Sequence, residues 1–114
     1  MIVERPWGTY ETILDEPNYK VKRIVVHAGH QFSLQYHNLR EEHWTVVSGR
    51  GYIQIGDKIT ATNAGQSYYV PEGEIHRATS ILWDLVFIET QIGECNENDI
   101  VRIQDDYGRV SNRL

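Results

Sequence analysis

The chain has 114 residues, 40% of them hydrophobic and 24% charged, with a net charge of −5 and no basic block. This leaves room for one folded domain with a single modest core, and it excludes a disordered chain or a partner tracked along a nucleic-acid backbone. A small anion held by a few local arginines stays compatible with the same charge. The roughly 18 consecutive apolar residues that a membrane-spanning helix needs do not occur.

The opening MIVERPWGTYE is charged and aromatic, unlike a signal or transit peptide, so the cytoplasm is the expected location. Residues 1–12 are expected to pack on the body of the domain or across a dimer, with Trp7 as anchor. YKVKRIVVHA is rich in β-branched residues, reads as a strand and ends at Gly29. QFSLQYH follows, and HWTVVSG and GYIQIG flank a Gly-Arg-Gly turn, which predicts a hairpin. KITATNAG, QSYYVPEG, IHRATS and LWDLVFIETQ complete the strand series. Helical periodicity is absent before residue 96, and ENDIVRIQDDYG is the one stretch that could hold a helical turn. Short strands punctuated by Gly, Pro, Asn and Asp predict an all-β sandwich, jelly roll or small barrel, with an interior that is either packed or holds a ligand. Cys95 is the single cysteine, so no intrachain disulfide can form, and it reads as an inert thiol.

Strand side chains alternate between faces, and this divides the stretch SLQYHNLREEHW. Ser33, Gln35 and His37 share one face; Phe32, Leu34 and Tyr36 share the other. Buried polar groups cost a few kcal/mol each unless paired. The polar face is therefore expected to line a cavity with a use for it. Glu42 shares a face with Trp44 and Val46, whereas His43, Thr45 and Val47 point the other way. His76 follows the turn VPEGEI, which delivers it to the start of a strand.

The order Gly29, five residues, Gln35, one residue, His37, four residues, Glu42, six residues, Gly49 resembles the first cupin motif. Gly65, five residues, Pro71, one residue, Gly73, two residues, His76 resembles the second. Gln35 stands where the first motif usually has His, and Ser80 where the second usually has Asn. RPWGTYE, KVKRI, SLQYH, REEHW, VSG, VPEGEIHR, IETQIG and DIVR…DDYGR together resemble the mannose-6-phosphate isomerase type II family, which also forms the C-terminal domain of mannose-1-phosphate guanylyltransferases. The resemblance runs from Arg5 to Arg109. It implies a single-domain cupin, a β-jelly roll barrel over residues 1–114. Carried over by motif, it also implies one divalent metal held by Gln35, His37, Glu42 and His76. Two imidazoles, a carboxylate and an amide oxygen favour zinc, with manganese, cobalt, nickel or iron also compatible and magnesium disfavoured.

The activity implied by the resemblance is the interconversion of mannose 6-phosphate and fructose 6-phosphate, with the product feeding GDP-mannose and surface polysaccharide synthesis. Such an isomerase needs a base, and the candidates are Glu89, His43 or hydroxide held at the metal. Arg40 and Arg77 are the candidate phosphate or hydroxyl contacts, because arginine grips phosphate through paired hydrogen bonds. Each has a plainer role as an ion pair with Glu41, Glu42 or Glu74. Glu89 has one with Arg5 or Arg102, and His43 can equally be a half-exposed strand histidine. The chain departs from the family at Asn38 and Leu39, where further histidines often stand, and in the loop GECNENDI. It carries no nucleotide-binding segment of the GxGT…K type, so guanylyltransferase activity is not expected of it. The alternatives are a non-catalytic sugar or sugar-phosphate binding cupin, or a cupin dioxygenase. Exposed strand edges and surface aromatics predict a homodimer.

Overall fold

The computed structural model describes residues 1–111. Among them it contains strands and turns and no helix. The strands are β1 (Ile2–Arg5), β2 (Gly8–Glu16), β3 (Tyr19–Val26), β4 (Leu34–Tyr36), β5 (Arg40–Ser48), β6 (Arg50–Ile55), β7 (Lys58–Asn63), β8 (Ser67–Val70), β9 (His76–Ser80), β10 (Leu85–Gly93) and β11 (Val101–Gln104). They form a six-stranded sheet, β1-β2-β3-β10-β5-β8, and a five-stranded sheet, β11-β4-β9-β6-β7. Every pairing between named strands is antiparallel.

The alternation read from the sequence is the burial observed in β5. Arg40, Glu42, Trp44 and Val46 are buried, while His43, Thr45 and Val47 are exposed. β10 runs centrally between β3 and β5 and buries Leu85, Val86 and Phe87 in succession. The core between the sheets joins Trp7, Ile24, Val26, Trp44, Val46, Ile53, Val70, Leu85 and Phe87. Its centre is aromatic. The ring centroids of Trp44 and Phe87 lie 4.7 Å apart, and Phe32 meets Trp7 at 5.4 Å and Trp44 at 6.0 Å, both edge to face. Such pairs add to the area each ring removes from water.

Three local expectations are corrected. The stretches around Gly49 do not form a hairpin. β5 pairs with β10 and β8 in one sheet, while β6 pairs with β7 and β9 in the other, so the chain changes sheets at Gly49. That corner has φ +88°, and a Cβ there would lie 2.1 Å from the Asp84 carbonyl oxygen. The tight hairpin that follows this corner is β6–β7, closed by the Ile55–Lys58 pair around Gly56-Asp57. Secondly, the stretch offered as a helical turn contains β11, which pairs with β4. Residues 1–12 hold β1 and most of β2, which extend the large sheet, and Trp7 between them enters the core. Thirdly, Phe32 faces inward. Residues 31–33 lie outside the named strands, Phe32 and Ser33 are both buried, and the alternation lapses there.

Gly51 marks where the small sheet tolerates no side chain, since a Cβ would lie 1.9 Å from the Thr79 carbonyl oxygen. Gly65 has φ +91° but open space around it. Gly51→Ala is expected to cost about 3 kcal/mol through overpacking against backbone, and Gly65→Ala about 1–2 kcal/mol through left-handed strain. Urea unfolding of the two variants checks this order; equal losses would contradict the packing described for β6 against β9.

Candidate metal centre and its cavity

The polar residues of the interior come from both sheets. β5 aims Arg40, Glu42 and Trp44 inward at every second position. β10 lies alongside, pairing Glu89 with Trp44 and Gln91 with Glu42, so these side chains share the inner face. From the small sheet, Gln35 on β4 pairs with His76 at the start of β9, and His37 follows the end of β4. The turn before β9 is tied to the same region by a 2.7 Å hydrogen bond from the Gly73 amide to the His37 carbonyl.

The two histidines are held in one tautomer by backbone carbonyls. His37 Nδ1 lies 2.6 Å from the Asp99 oxygen, and His76 Nδ1 lies 2.9 Å from the Glu74 oxygen. A carbonyl only accepts, so Nδ1 carries the hydrogen on each ring and Nε2 presents a lone pair. Both Nε2 atoms face Glu42: His37 Nε2 is 3.4 Å from Oε2, and His76 Nε2 is 3.8 Å from Oε1. The three ligand atoms of His37, Glu42 and His76 lie within 4.8 Å of one another. His76 Nε2 is buried without a hydrogen-bond partner among the described residues, an expense that a metal ion would remove. Backbone carbonyls on the far nitrogens are the usual outer support of metal-binding histidines. Gln35 sits beside them: its Oε1 accepts from Ser33 at 2.6 Å, and its amide nitrogen lies 3.4 Å from His37 Nε2. The donor set therefore fits a divalent metal.

The charges around this cluster differ sharply. Burial alone would raise Glu42, but His76, His37, Arg40 and the Trp44 indole bring it down to about 2. Arg40 donates from Nε to Glu42 Oε2 at 3.0 Å, and Trp44 Nε1 donates to Oε1 at 3.0 Å. Burial lowers His37 to about 4, so its ring is neutral at physiological pH. Glu89 moves the other way. Burial and then the Glu42 charge raise it to about 8, although Gln91 donates a hydrogen bond to it. Two carboxyls on neighbouring strands are thus set in opposite protonation states.

A cavity of about 390 Å³ opens from this cluster. His37, Arg40, Glu42, Trp44, Glu89 and Gln91 line it and are buried, marking its floor. Exposed Arg5 and half-buried Arg102 and Arg109 line it as well, marking its opening. Of the residues singled out in the sequence, Gln35, His37, Arg40, Glu42 and Glu89 line this cavity, and His76 joins them through the ligand cluster. His43 and Arg77 are not brought to it. His43 points outward from β5, where it meets Glu41 at 2.7 Å and stacks on Tyr69. Arg77 points outward from β9 and donates to the Phe32 and Gln104 carbonyls. Strand parity is the reason in both cases, since each neighbours a residue that faces inward. Arg5 and Arg102 read in the sequence only as ion-pair partners for Glu89, a pairing that the structure does not form, and Arg109 only as part of the DDYGR turn. The recurrence of arginine beside RPWG, DIVR and DDYGR was the available signal.

Residues 1–105 match the family model described as mannose-6-phosphate isomerase C-terminal. The chain is similar to the xanthan biosynthesis protein XanB of Xanthomonas campestris pv. campestris, 44% identical over 110 residues that cover 95% of this chain and 24% of that protein. It is also similar to the alginate biosynthesis protein AlgA of Pseudomonas aeruginosa, 40% identical over 111 residues covering 96% and 23%. The chain thus spans about a quarter of the length of the curated relatives it matches. Among solved structures, an RmlC-like cupin from Shewanella frigidimarina aligns with a TM-score of 0.76 at 18% identity, covering 86% of each chain. That likeness shows a cupin fold.

The raised carboxyl gives a stability signature in chelator-treated protein. Below the unfolded value near 4.5, Glu89 is protonated both folded and unfolded and contributes no pH dependence. Between there and about 8 the folded state holds a proton that the unfolded state has lost, so stability falls as pH rises. Glu89→Gln is expected to melt higher than wild type at pH 8, with the difference shrinking toward pH 5. Parallel melting profiles from pH 5 to 8 would refute the raised Glu89.

Proposed function

The chain belongs to the mannose-6-phosphate isomerase C-terminal family, and from that premise we propose that its cavity interconverts mannose 6-phosphate and fructose 6-phosphate. The observation that carries the reading is one cavity that joins a metal-fitting donor set, a buried carboxyl raised to about 8 and a cluster of arginines. The relatives named for xanthan and alginate biosynthesis support a place for the reaction in supplying polysaccharide precursors.

The reaction moves one hydrogen between C1 and C2 of the open-chain sugar and shifts a hydroxyl hydrogen between the two oxygens, with no net redox change. Gln35, His37, Glu42 and His76 would hold a divalent metal, zinc being favoured by the two imidazoles and the carboxylate. Such a metal, when bound, supplies Lewis-acid polarisation of the sugar oxygens. Glu89 is the proton carrier in this reading. In its ionised form, whose share grows as pH approaches about 8, Glu89 accepts the proton from C2 of the aldose and returns it to C1 on the way to the ketose. A carboxyl held near neutral pH by burial suits that exchange in both directions. Trp44 and Phe32 line the same cavity and give it an apolar wall.

The phosphate is assigned to the opening. Arg102 stands opposite Gln35 in the β11–β4 register, which aims it toward the donor set. Its Nε is buried without a hydrogen-bond partner among the described residues. Burial, and after it the like charges of Arg109 and Arg5, lowers Arg102 below the usual arginine value apart from the opposing pull of Asp105. A dianionic phosphate relieves that repulsion and fills the open donor. A homodimer belongs to the same reading, with edge strand β1 and exposed Ile2 and Ile13 as its natural contact.

A coupled assay on zinc-reconstituted protein is expected to show turnover of mannose 6-phosphate. His37→Ala should lose about 10- to 100-fold or more in metal affinity or activity. Arg102→Gln should raise KM more than it lowers kcat. Sugar-phosphate binding without turnover on any first-row metal would leave a binding cupin and end the isomerase reading. Light scattering is expected to give twice the 13.3 kDa chain mass; a clean monomer mass counts against the dimer.

A further inference from the structure

Arg40 has a position that neither a surface ion pair nor a simple substrate clamp explains. It is 5% exposed and projects from β5 into the floor beside Glu42. Its Nε donates to Glu42 Oε2 at 3.0 Å, and its Nη2 lies 3.1 Å from His37 Nε2. A guanidinium has donors only, so His37 Nε2 is the acceptor in this contact. The His37 tautomer agrees, because Nδ1 donates to Asp99 and leaves one lone pair at Nε2. That lone pair is also the one a metal would take. The carboxylate is equally committed: Oε1 holds the Trp44 indole and Oε2 holds Arg40.

We infer that Arg40 is a competing cation built into the donor set: its guanidinium and a divalent metal exclude one another at His37 Nε2, so metal entry is coupled to release of Arg40 into the cavity. The inference rests on the reading of Gln35, His37, Glu42 and His76 as metal ligands. One imidazole lone pair serves one electrophile. His76 Nε2, by contrast, is free of protein partners among the described residues and open to a metal from the start. The site is therefore half preformed and half guarded. Arg40 Nη1 is buried without a partner among the described residues, and a displaced guanidinium turns into the cavity that Glu89 and Glu97 also line, Glu97 being engaged by Lys22. There it faces an entering anionic ligand. Metal and anion binding are coupled through this one side chain, and the Glu42 charge is never left uncompensated, with Arg40 or metal beside it in turn.

Zinc titration calorimetry on chelator-treated wild type, Arg40→Met, Arg40→Lys and His76→Ala tests this. Arg40→Met is expected to bind zinc roughly 5- to 150-fold more tightly than wild type, the range of ordinary coupling between sites. Its metal-free form should melt lower than wild type, so the two readouts move in opposite directions. Arg40→Lys keeps the charge but replaces the two separate nitrogens that reach Glu42 and His37 with a single one on a flexible stem, so its hold on His37 Nε2 is weaker and it too should bind zinc more tightly. His76→Ala should lose zinc binding. If His76→Ala loses binding while both Arg40 variants match wild type, the metal site stands and the competition is overturned. Arg40→Lys equal to wild type with Arg40→Met tighter reduces the effect to net charge and also overturns it. Absence of zinc binding in every protein ends both readings.

Discussion

A carboxylate sealed between two sheets sets the terms for everything around it. Glu42 is 2% exposed, and an ionised carboxylate out of water is tolerated only when it is paired and hydrogen-bonded. Its partners arrive from both sheets. Arg40 and Trp44 come from its own strand, and His37 and His76 come from the opposite sheet. That demand explains why β4 and β9 present polar side chains inward at this end, while the core away from it is aromatic and aliphatic. It also explains why the turns carrying Glu74 and Asp99 must be placed well, since each fixes a histidine ring through its carbonyl.

Its neighbour on β10 answers to burial first and to the same charge second. Sealed from water and facing the ionised Glu42, Glu89 keeps its proton through neutral pH. One interior thus holds a permanent anion and a proton donor without a wide separation. The arginines sort themselves by depth. Arg40 answers Glu42 on the floor, Arg109 is engaged by both oxygens of Asp105, and Arg102 keeps an unmet donor at the opening. The cavity is in this way polarised from a metal-fitting end to an anion-fitting end.

How far each feature could be read in advance follows from the range of the interaction that fixes it. The outward aim of His43 and the inward aim of Glu42 and Trp44 follow from a period of two along one strand, and they were legible. The motif spacings around Gln35, His37 and His76 were legible as well, because glycine and proline punctuate them. The supposed hairpin at Gly49 misled because a Gly-Arg-Gly turn is local chemistry, whereas the choice of sheet is not. Phe32 misled because alternation is lost wherever residues leave the ladder. Arg102 was legible only as a possible partner of Glu89, because its place opposite Gln35 depends on the pairing of β11 with β4, more than sixty residues back along the chain.

The sequence by itself determined an all-β chain, because strand alternation and turn residues are short-range patterns, and its motifs carried the resemblance that implied a cupin and a set of candidate metal ligands. Only the tertiary structure decided which candidates meet. It separated Glu89 from His43 and Arg102 from Arg77, and it placed Arg40 on the donor atoms of His37 and Glu42. Those outcomes depend on which strands lie side by side and in what register, and burial then converts that juxtaposition into charge and protonation.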